Sequence, residues 1–334
     1  MKEIDEFLTI FKYYKANKPK PSSQNVITVE DERHYDKVIR FALKQSDDAR
    51  TQRLGLKKME KWHVYTFQSH PGLYLIRNPF TSLGQRYWIR KCLEDYPRKP
   101  NRTNIDNEIN LEDWWQACYV DGASDQTLIK KLRWTTLGYH HNWDTKVYSE
   151  DNQSALPREL AELTDVVALS LGYSTFKPQA TIVNYYHMKS TLSAHTDHSE
   201  VNLEAPLFSF SFGQSAIFLI GGQDKSVTPT AILLQSGDIM VMSKESRLCY
   251  HAVPKILLAS SSPWNEEVNH SLGEISASFK YINQPEELYS NMIKNTGDEW
   301  NRFKDYVKES RININVRQVL NESQNSLAGV VFNS

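Results

Sequence analysis

His195 and Asp197, in Ser193-Ala-His-Thr-Asp197, read together with the distant His251, are the residues whose types and spacing best suit chemistry. On a strand, residues two apart face the same way, so His-x-Asp presents an imidazole and a carboxylate side by side. A second imidazole from another strand completes two histidines and one carboxylate on one side of a metal. That set suits ferrous iron, with positions left open for a co-substrate and oxygen.

The tripeptide alone says little; Arg311-Ile-Asn-Ile-Asn-Val-Arg-Gln-Val319 strengthens it. Ile312, Ile314 and Val316 fall on one face, and Arg311, Asn313, Asn315 and Arg317 on the other. A solvated polar face is the ordinary alternative. If buried, two arginines and two asparagines are costly unless something anionic sits there. The arginine backbones are roughly 20 Å apart along a strand. Their side chains can lean inward to grip the ends of a short dicarboxylate, which the planar guanidinium pairs with bidentately. Upstream, Thr181-Ile-Val-Asn-Tyr-Tyr-His-Met188 places Ile182, Asn184 and Tyr186 on one face and Val183, Tyr185 and His187 on the other. Asn184 and Tyr186 can hydrogen-bond a carboxylate or keto group, while His187 reads as a surface or second-layer residue.

The order N-x-Y, H-x-D, distant His, R-x-N-x-x-x-R resembles the AlkB family of iron(II)- and 2-oxoglutarate-dependent dioxygenases, closest to the AlkB homologue 1 branch. The runs Leu132-Arg-Trp-Thr-Thr-Leu-Gly-Tyr-His-His-Asn-Trp143, Leu207-Phe-Ser-Phe-Ser-Phe-Gly-Gln-Ser-Ala-Ile-Phe-Leu219, Ser236-Gly-Asp-Ile-Met-Val-Met242 and Val316-Arg-Gln-Val-Leu320 carry the same likeness. It spans about residues 70–320. The resemblance implies iron(II) on His195, Asp197 and His251, and 2-oxoglutarate contacts from Asn184, Tyr186, Arg311 and Arg317 with Asn313 nearby. It further implies an O2-dependent oxidative demethylase that hydroxylates an N-methyl group of a base, with formaldehyde, succinate and CO2 as products. The implied substrates are N-methylated adenines in transfer RNA, with N6-methyladenine in DNA as a second class. His198, directly after the carboxylate, departs from the arginine expected there. On a continued strand it faces away from His195 and Asp197, and it is left out of the ligand set.

These residues need elements to position them. Phe7, Ile10, Phe11 and Tyr14 recur at helical spacing before a Pro- and Ser-rich linker, so 1–25 reads as an amphipathic helix and linker. Gly72–Ile76 reads as a strand, and Thr81 as the cap of a helix bearing Tyr87, Trp88 and Leu93. Residues 158–172 read as a helix with Leu160, Leu163, Val167 and Leu171 on one face, stopped by Gly172. Beyond about 180 the period becomes two, with strands expected at 180–188, 207–220, 229–234, 238–242 and 248–253. The fold class is therefore α+β: a double-stranded β-helix, or jelly-roll, with N-terminal and supporting helices. Residues 26–155 read as an N-terminal helical and strand extension, which the family resemblance implies includes a nucleotide-recognition lid. Residues 156–325 form the dioxygenase core, with a polar insertion at about 258–308 that includes a helix bearing Trp300, Phe303 and Val307.

Composition fits an intracellular enzyme. The 334 residues are 40% hydrophobic and 24% charged, and no run approaches the 18 apolar residues of a membrane span. Cys92, Cys118 and Cys249 are sparse and lack C-x-x-C spacing, which argues for a reducing compartment and against a disulfide framework or zinc cluster. Cys249 reads as a packed core residue. Acids in the first six residues disfavour a mitochondrial presequence, so nucleus or cytoplasm is expected, with an unusual signal needed for mitochondria. A monomer is expected. The net charge of −1 gives no global basic footprint for nucleic acid, but Arg98–Arg102 and Lys130–Arg133 are locally basic. The second leads into Trp134, Tyr139, His140, Trp143 and Tyr148, the candidates for holding a methylated base taken out of its stack. Two alternatives share the fold: a dioxygenase hydroxylating a protein or small molecule, and an inactive nucleic-acid-binding module.

Overall fold

The computed structural model describes residues 5–330 apart from 46, 121–122, 267–276 and 296. Residues 1–4 and part of the polar insertion therefore lie outside the described residues. The elements that position the site are α1 (Glu6–Lys15), β1 (His70–Arg77), α2 (Ser82–Arg90), β2 (Trp134–Gly138), α3 (Arg158–Leu171), β3 (Ala180–His187), β4 (Leu192–His195), β5 (Leu207–Gly213), β6 (Ser215–Ile220), β7 (Thr230–Leu234), β8 (Ile239–Met242), β9 (His251–Leu257), α4 (Asn301–Val307) and β10 (Ser310–Arg317).

Two sheets face one another. The larger runs Val38–Phe41, His63–Phe67, β1, β8, β5, β10, β3, β2, Arg102–Thr103; the smaller runs Val26–Ile27, β7, β6, β9, β4. Segments on either side of residue 155 share the larger sheet, because β1 pairs with β8 and β2 with β3.

Alternation along β5 shows why the sheets separate two kinds of interior. Phe208, Phe210 and Phe212 pack toward the helices with Ile312, Ile314, Val316, Val183 and Tyr185, and with Leu160, Leu163, Val167 and Leu171 of α3. Leu207 instead joins the inter-sheet core with Tyr186, Met240, Phe218 and Ile232, and Ser209 and Ser211 face the same way. The period of two thus produces one dry face and one that carries polar groups between the sheets.

The run expected as one strand over 207–220 is two strands in different sheets. Gly213 adopts φ 78°, and an added Cβ there would lie 2.4 Å from the Ser310 carbonyl oxygen. The chain can cross between sheets only because this position tolerates a left-handed backbone. Other differences are smaller. The strand expected at 248–253 is β9, which starts at His251 after a 3-10 turn over Lys244–Leu248. Leu93 lies in a π-helical continuation of α2 at Lys91–Asp95. As expected, the Thr81 hydroxyl accepts from the Gly84 amide at 3.0 Å, and Gly172 ends α3 in the left-handed region. Helix α1 buries Phe7, Phe11 and Tyr14 against Ile217, Leu219, Ala231 and Ala252 on the outer face of the small sheet.

Candidate active site

His195 ends β4 and lies opposite His251 on β9, so their rings sit 4.2 Å apart between centroids. Asp197 lies two residues beyond the strand, and strand alternation does not place it. Arg247 donates to its backbone carbonyl at 2.6 Å, and Arg317 of β10 donates to its Oδ1 at 2.7 Å. These contacts turn Oδ2 toward His251 Nε2, at 3.5 Å. One ligand atom from each of the three residues falls within 4.8 Å of the others.

The donor chemistry fits a cation. His195 Nδ1 lies 2.9 Å from the Ser193 carbonyl and His251 Nδ1 3.1 Å from that of Cys249. A carbonyl can only accept, so each Nδ1 carries a proton, which leaves Nε2 as the nitrogen able to face the centre. Burial, with His251 beside it, lowers the His195 pKa to about 4, which keeps it a lone-pair donor. Burial pushes the Asp197 carboxyl up, but Arg317 and the two imidazoles outweigh it and hold it well below the usual range. Converging lone pairs and a carboxylate repel unless a positive ion lies between them, and the set can hold one divalent metal with open positions.

The polar face of β10 is buried and partitioned. Arg317 is 5% exposed. Besides Asp197, it places Nε 3.4 Å from Glu200 Oε1 and donates from Nη1 to the Tyr148 hydroxyl at 3.3 Å. Glu200 also pairs with Arg247 at 2.9 Å. Two guanidiniums and two carboxylates therefore balance beside the candidate metal ligands. Arg311, 1% exposed, has no such balance. It donates to the Gln214 carbonyl at 3.2 Å and the Ser211 hydroxyl at 2.7 Å, while its Nε has no hydrogen-bond partner. No carboxylate pairs with it among the described residues, and burial lowers its pKa to about 10. A buried cation without a counter-ion is costly, so this end of the site fits a carboxylate that arrives with a ligand.

Asn184, Tyr186, Arg311, Asn313 and Arg317 line the same cavity of about 680 Å³ as His195, Asp197 and His251. Asn313 donates to the Ser209 hydroxyl at 2.8 Å. Burial raises Tyr186 to about 12, so its phenol remains a proton donor. Several helpers carry little or no signal in the sequence. Ser209 and Ser211 are marked only by their alternation with Phe208 and Phe210. Gln214, Glu200 and Arg247 have no spacing to mark them.

The five base-holding candidates separate. Trp143, 47% exposed, lines the cavity mouth, and Trp134 packs against it at 5.1 Å. The side chains of Tyr139, His140 and Tyr148 are buried and engaged elsewhere. Tyr139 donates to Glu150, His140 pairs with Thr136 at 2.8 Å, and Tyr148 donates to Glu200. Their rings pack behind the wall because β2 ends at Gly138 and the chain folds back there. His141, outside the five candidates, lines the cavity and lies 4.7 Å from the Trp143 ring. His198 also differs from expectation. With the strand ending at His195, alternation lapses, and His198 is exposed at the cavity mouth with Lys146, Lys225 and Tyr250. Cys249 is buried, with Sγ 3.2 Å from the Glu245 carbonyl, and is not among the candidate metal ligands.

Residues 72–317 match the family model described as the 2OG-Fe(II) oxygenase superfamily. The chain is 37% identical over 342 aligned residues to the mouse nucleic acid dioxygenase ALKBH1, covering 96% of this chain and 85% of that protein. It is 29% identical to the Arabidopsis thaliana DNA N(6)-methyladenine demethylase ALKBH1A, covering 79% and 80% of the two chains. It is 36% identical to the fission yeast tRNA demethylase abh1, covering 59% and 72%.

Proposed function

Because the chain belongs to the 2OG-Fe(II) oxygenase superfamily, and within it to the AlkB type, we propose that it removes methyl groups from N-methylated bases of nucleic acid. It is a dioxygenase that uses iron(II), 2-oxoglutarate and O2. The substrates assigned are methyladenine in transfer RNA and N6-methyladenine in DNA, in keeping with the names of the relatives. When bound, iron and 2-oxoglutarate would supply an oxidant that places one oxygen atom of O2 in a methyl C–H bond, with succinate, carrying the other oxygen atom, and CO2 as co-products. The resulting N-hydroxymethyl group then breaks its N–C bond, releasing formaldehyde and returning the proton to the base nitrogen.

His195, Asp197 and His251 hold the metal. The observation that carries the co-substrate assignment is the buried, uncompensated Arg311, which takes the far carboxylate of 2-oxoglutarate. Arg317 stands beside Asp197 and orients it; Tyr186, directly opposite Arg311 across the strand pair, donates at the far end, and Asn184, opposite Asn313, donates closer to the metal. The base enters past Trp134, Trp143 and His141, where aromatic rings offer stacking, and Lys146 and Lys225 border the mouth as phosphate partners. Among the described residues, no helix is long and apolar enough to cross a membrane. We place the enzyme, as a monomer, in nucleus and cytoplasm; one species of about 38.7 kDa on sizing and a nuclear signal on fractionation would bear this out.

The test is anaerobic loading with iron(II) and 2-oxoglutarate, then reaction in air with methylated RNA and DNA oligomers, reading succinate, formaldehyde and base mass together. Formaldehyde with loss of one methyl identifies the substrate. Succinate formation indifferent to every oligomer would move the substrate class to protein or small molecules.

A further inference from the structure

A second cavity, of about 1010 Å³, lies beside the first and is absorbed by none of the chemistry above. It opens between the end of β3, the following residues 188–191, the helix Gln126–Lys131, and α4. Thr191 lines both cavities. Arg133 lines the second while its neighbour Trp134 packs on Trp143 at the mouth of the first.

The wall is basic. Lys130, Arg133, Lys189 and Arg302 stand against Asp305 and Glu309. Among the described residues none of the four cations forms an ion pair. Arg302 lies over the Tyr119 ring at 5.4 Å, and Asp305 is paired with Lys308 at 3.2 Å. Basic residues nearby behave differently: Arg98 pairs with Asp113 at 2.6 Å, Lys99 with Asp106 at 2.9 Å, and Lys131 with Glu108 at 3.1 Å. Within the two basic clusters of the sequence Arg98, Lys99 and Lys131 are thus neutralised, while Lys130 and Arg133 face this cavity with no ion pair among the described residues. At the same wall the Tyr306 hydroxyl, in a side chain 6% exposed, and His187 Nε2 are buried without a hydrogen-bond partner. Burial pushes the Tyr306 phenol up, leaving it a donor.

Resting on the demethylase reading, we propose that this cavity holds the phosphodiester backbone of the substrate nucleic acid beside the base that enters the active site. Unpaired cations spread along a wall suit successive phosphates better than one small anion. The wall shared at Thr191 lets one strand occupy both cavities at once.

The test uses the full chain loaded anaerobically with iron(II) and 2-oxoglutarate, and a fluorescent single-stranded RNA carrying one methyladenine. Binding is followed by anisotropy across a salt series for the wild type, for Lys130→Ala/Arg133→Ala/Lys189→Ala, and for Arg133→Lys. The triple variant is expected to bind at least about tenfold more weakly. Its slope of log affinity against log salt is expected to fall by about 0.7 for each phosphate that is no longer neutralised. Arg133→Lys should retain most of the slope, and 2-oxoglutarate affinity and melting temperature should stay at wild-type values. Unchanged oligomer affinity and slope in the triple variant would overturn the proposal while leaving the demethylase reading intact. Wild-type protein that binds none of the oligomers would instead remove the demethylase reading and the proposal with it. Weakened binding of adenosine monophosphate, with oligomer binding unaffected, would overturn the proposal in favour of a free nucleotide.

Discussion

Arg311 and Arg317 are chemically identical and occupy the same strand face, yet their surroundings give them different work. Arg317 is compensated by Asp197 and Glu200, so it needs no ligand to be stable. Arg311 has only neutral acceptors. Arg311→Met should therefore raise the KM for 2-oxoglutarate roughly 10–100-fold, the value of one charge-assisted hydrogen bond. Metal affinity, measured with Mn(II) by calorimetry, should stay unchanged; an equal loss of metal affinity would reverse the assignment. Asp197→Ala should abolish turnover and metal binding. Because Asp197 also compensates a buried guanidinium, the same variant should lose about 3 kcal/mol of stability by denaturant titration. Trp143→Ala, at an exposed position, should weaken oligomer binding by about 1–3 kcal/mol with the melting temperature unmoved. The arginines, the asparagines and the His-x-Asp pair are legible from type and alternation. The division of labour between the arginines is not, because it depends on Glu200, Ser211 and Gln214, which approach from other segments.

At the scale of elements, the turn at Gly213 and helix α1 carry the most consequence. The Leu207–Leu219 run alternates without a visible break, so it reads as one strand. The left-handed φ at Gly213 is what sends β5 and β6 into opposite sheets and opens the space for the site. Gly213→Ala should cost about 2–4 kcal/mol, from backbone strain together with the collision against Ser310. The apolar stripe of α1 is legible, but a stripe does not say what it covers. Packing on β6, β7 and β9 makes it part of the core. Phe7→Ala should therefore lower stability by about 3–4 kcal/mol by denaturant titration. Oligomer affinity at low temperature should be spared.

For the whole molecule, buried neutral histidines set an acid limit. Burial lowers His70 and His140 to about 4. His70 lies 2.8 Å from Thr230 and so links the large sheet to the small one. Since their folded pKa values lie below the unfolded value of about 6.5, the unfolded chain binds more protons between these limits. Stability is fully present above pH 6.5 and falls as pH drops toward 4, by up to about 3 kcal/mol for each residue. His70→Gln/His140→Gln should flatten urea midpoints over this window; an unchanged pH dependence would show that other groups carry it.

The sequence by itself determined the strand periods, the capped helices and the face on which the arginines lie, because each follows from local backbone geometry repeated every two or every 3.6 residues, and it supplied the residue types of the candidate metal ligands. The tertiary structure alone decided which carboxylates neutralise Arg317, that Arg311 is left uncompensated, that Tyr139, His140 and Tyr148 turn inward while His141 and His198 reach the cavity, and that Lys130 and Arg133 remain unpaired. Each of these is a balance of charge, burial and hydrogen bonding among segments far apart in the chain, which no local period encodes.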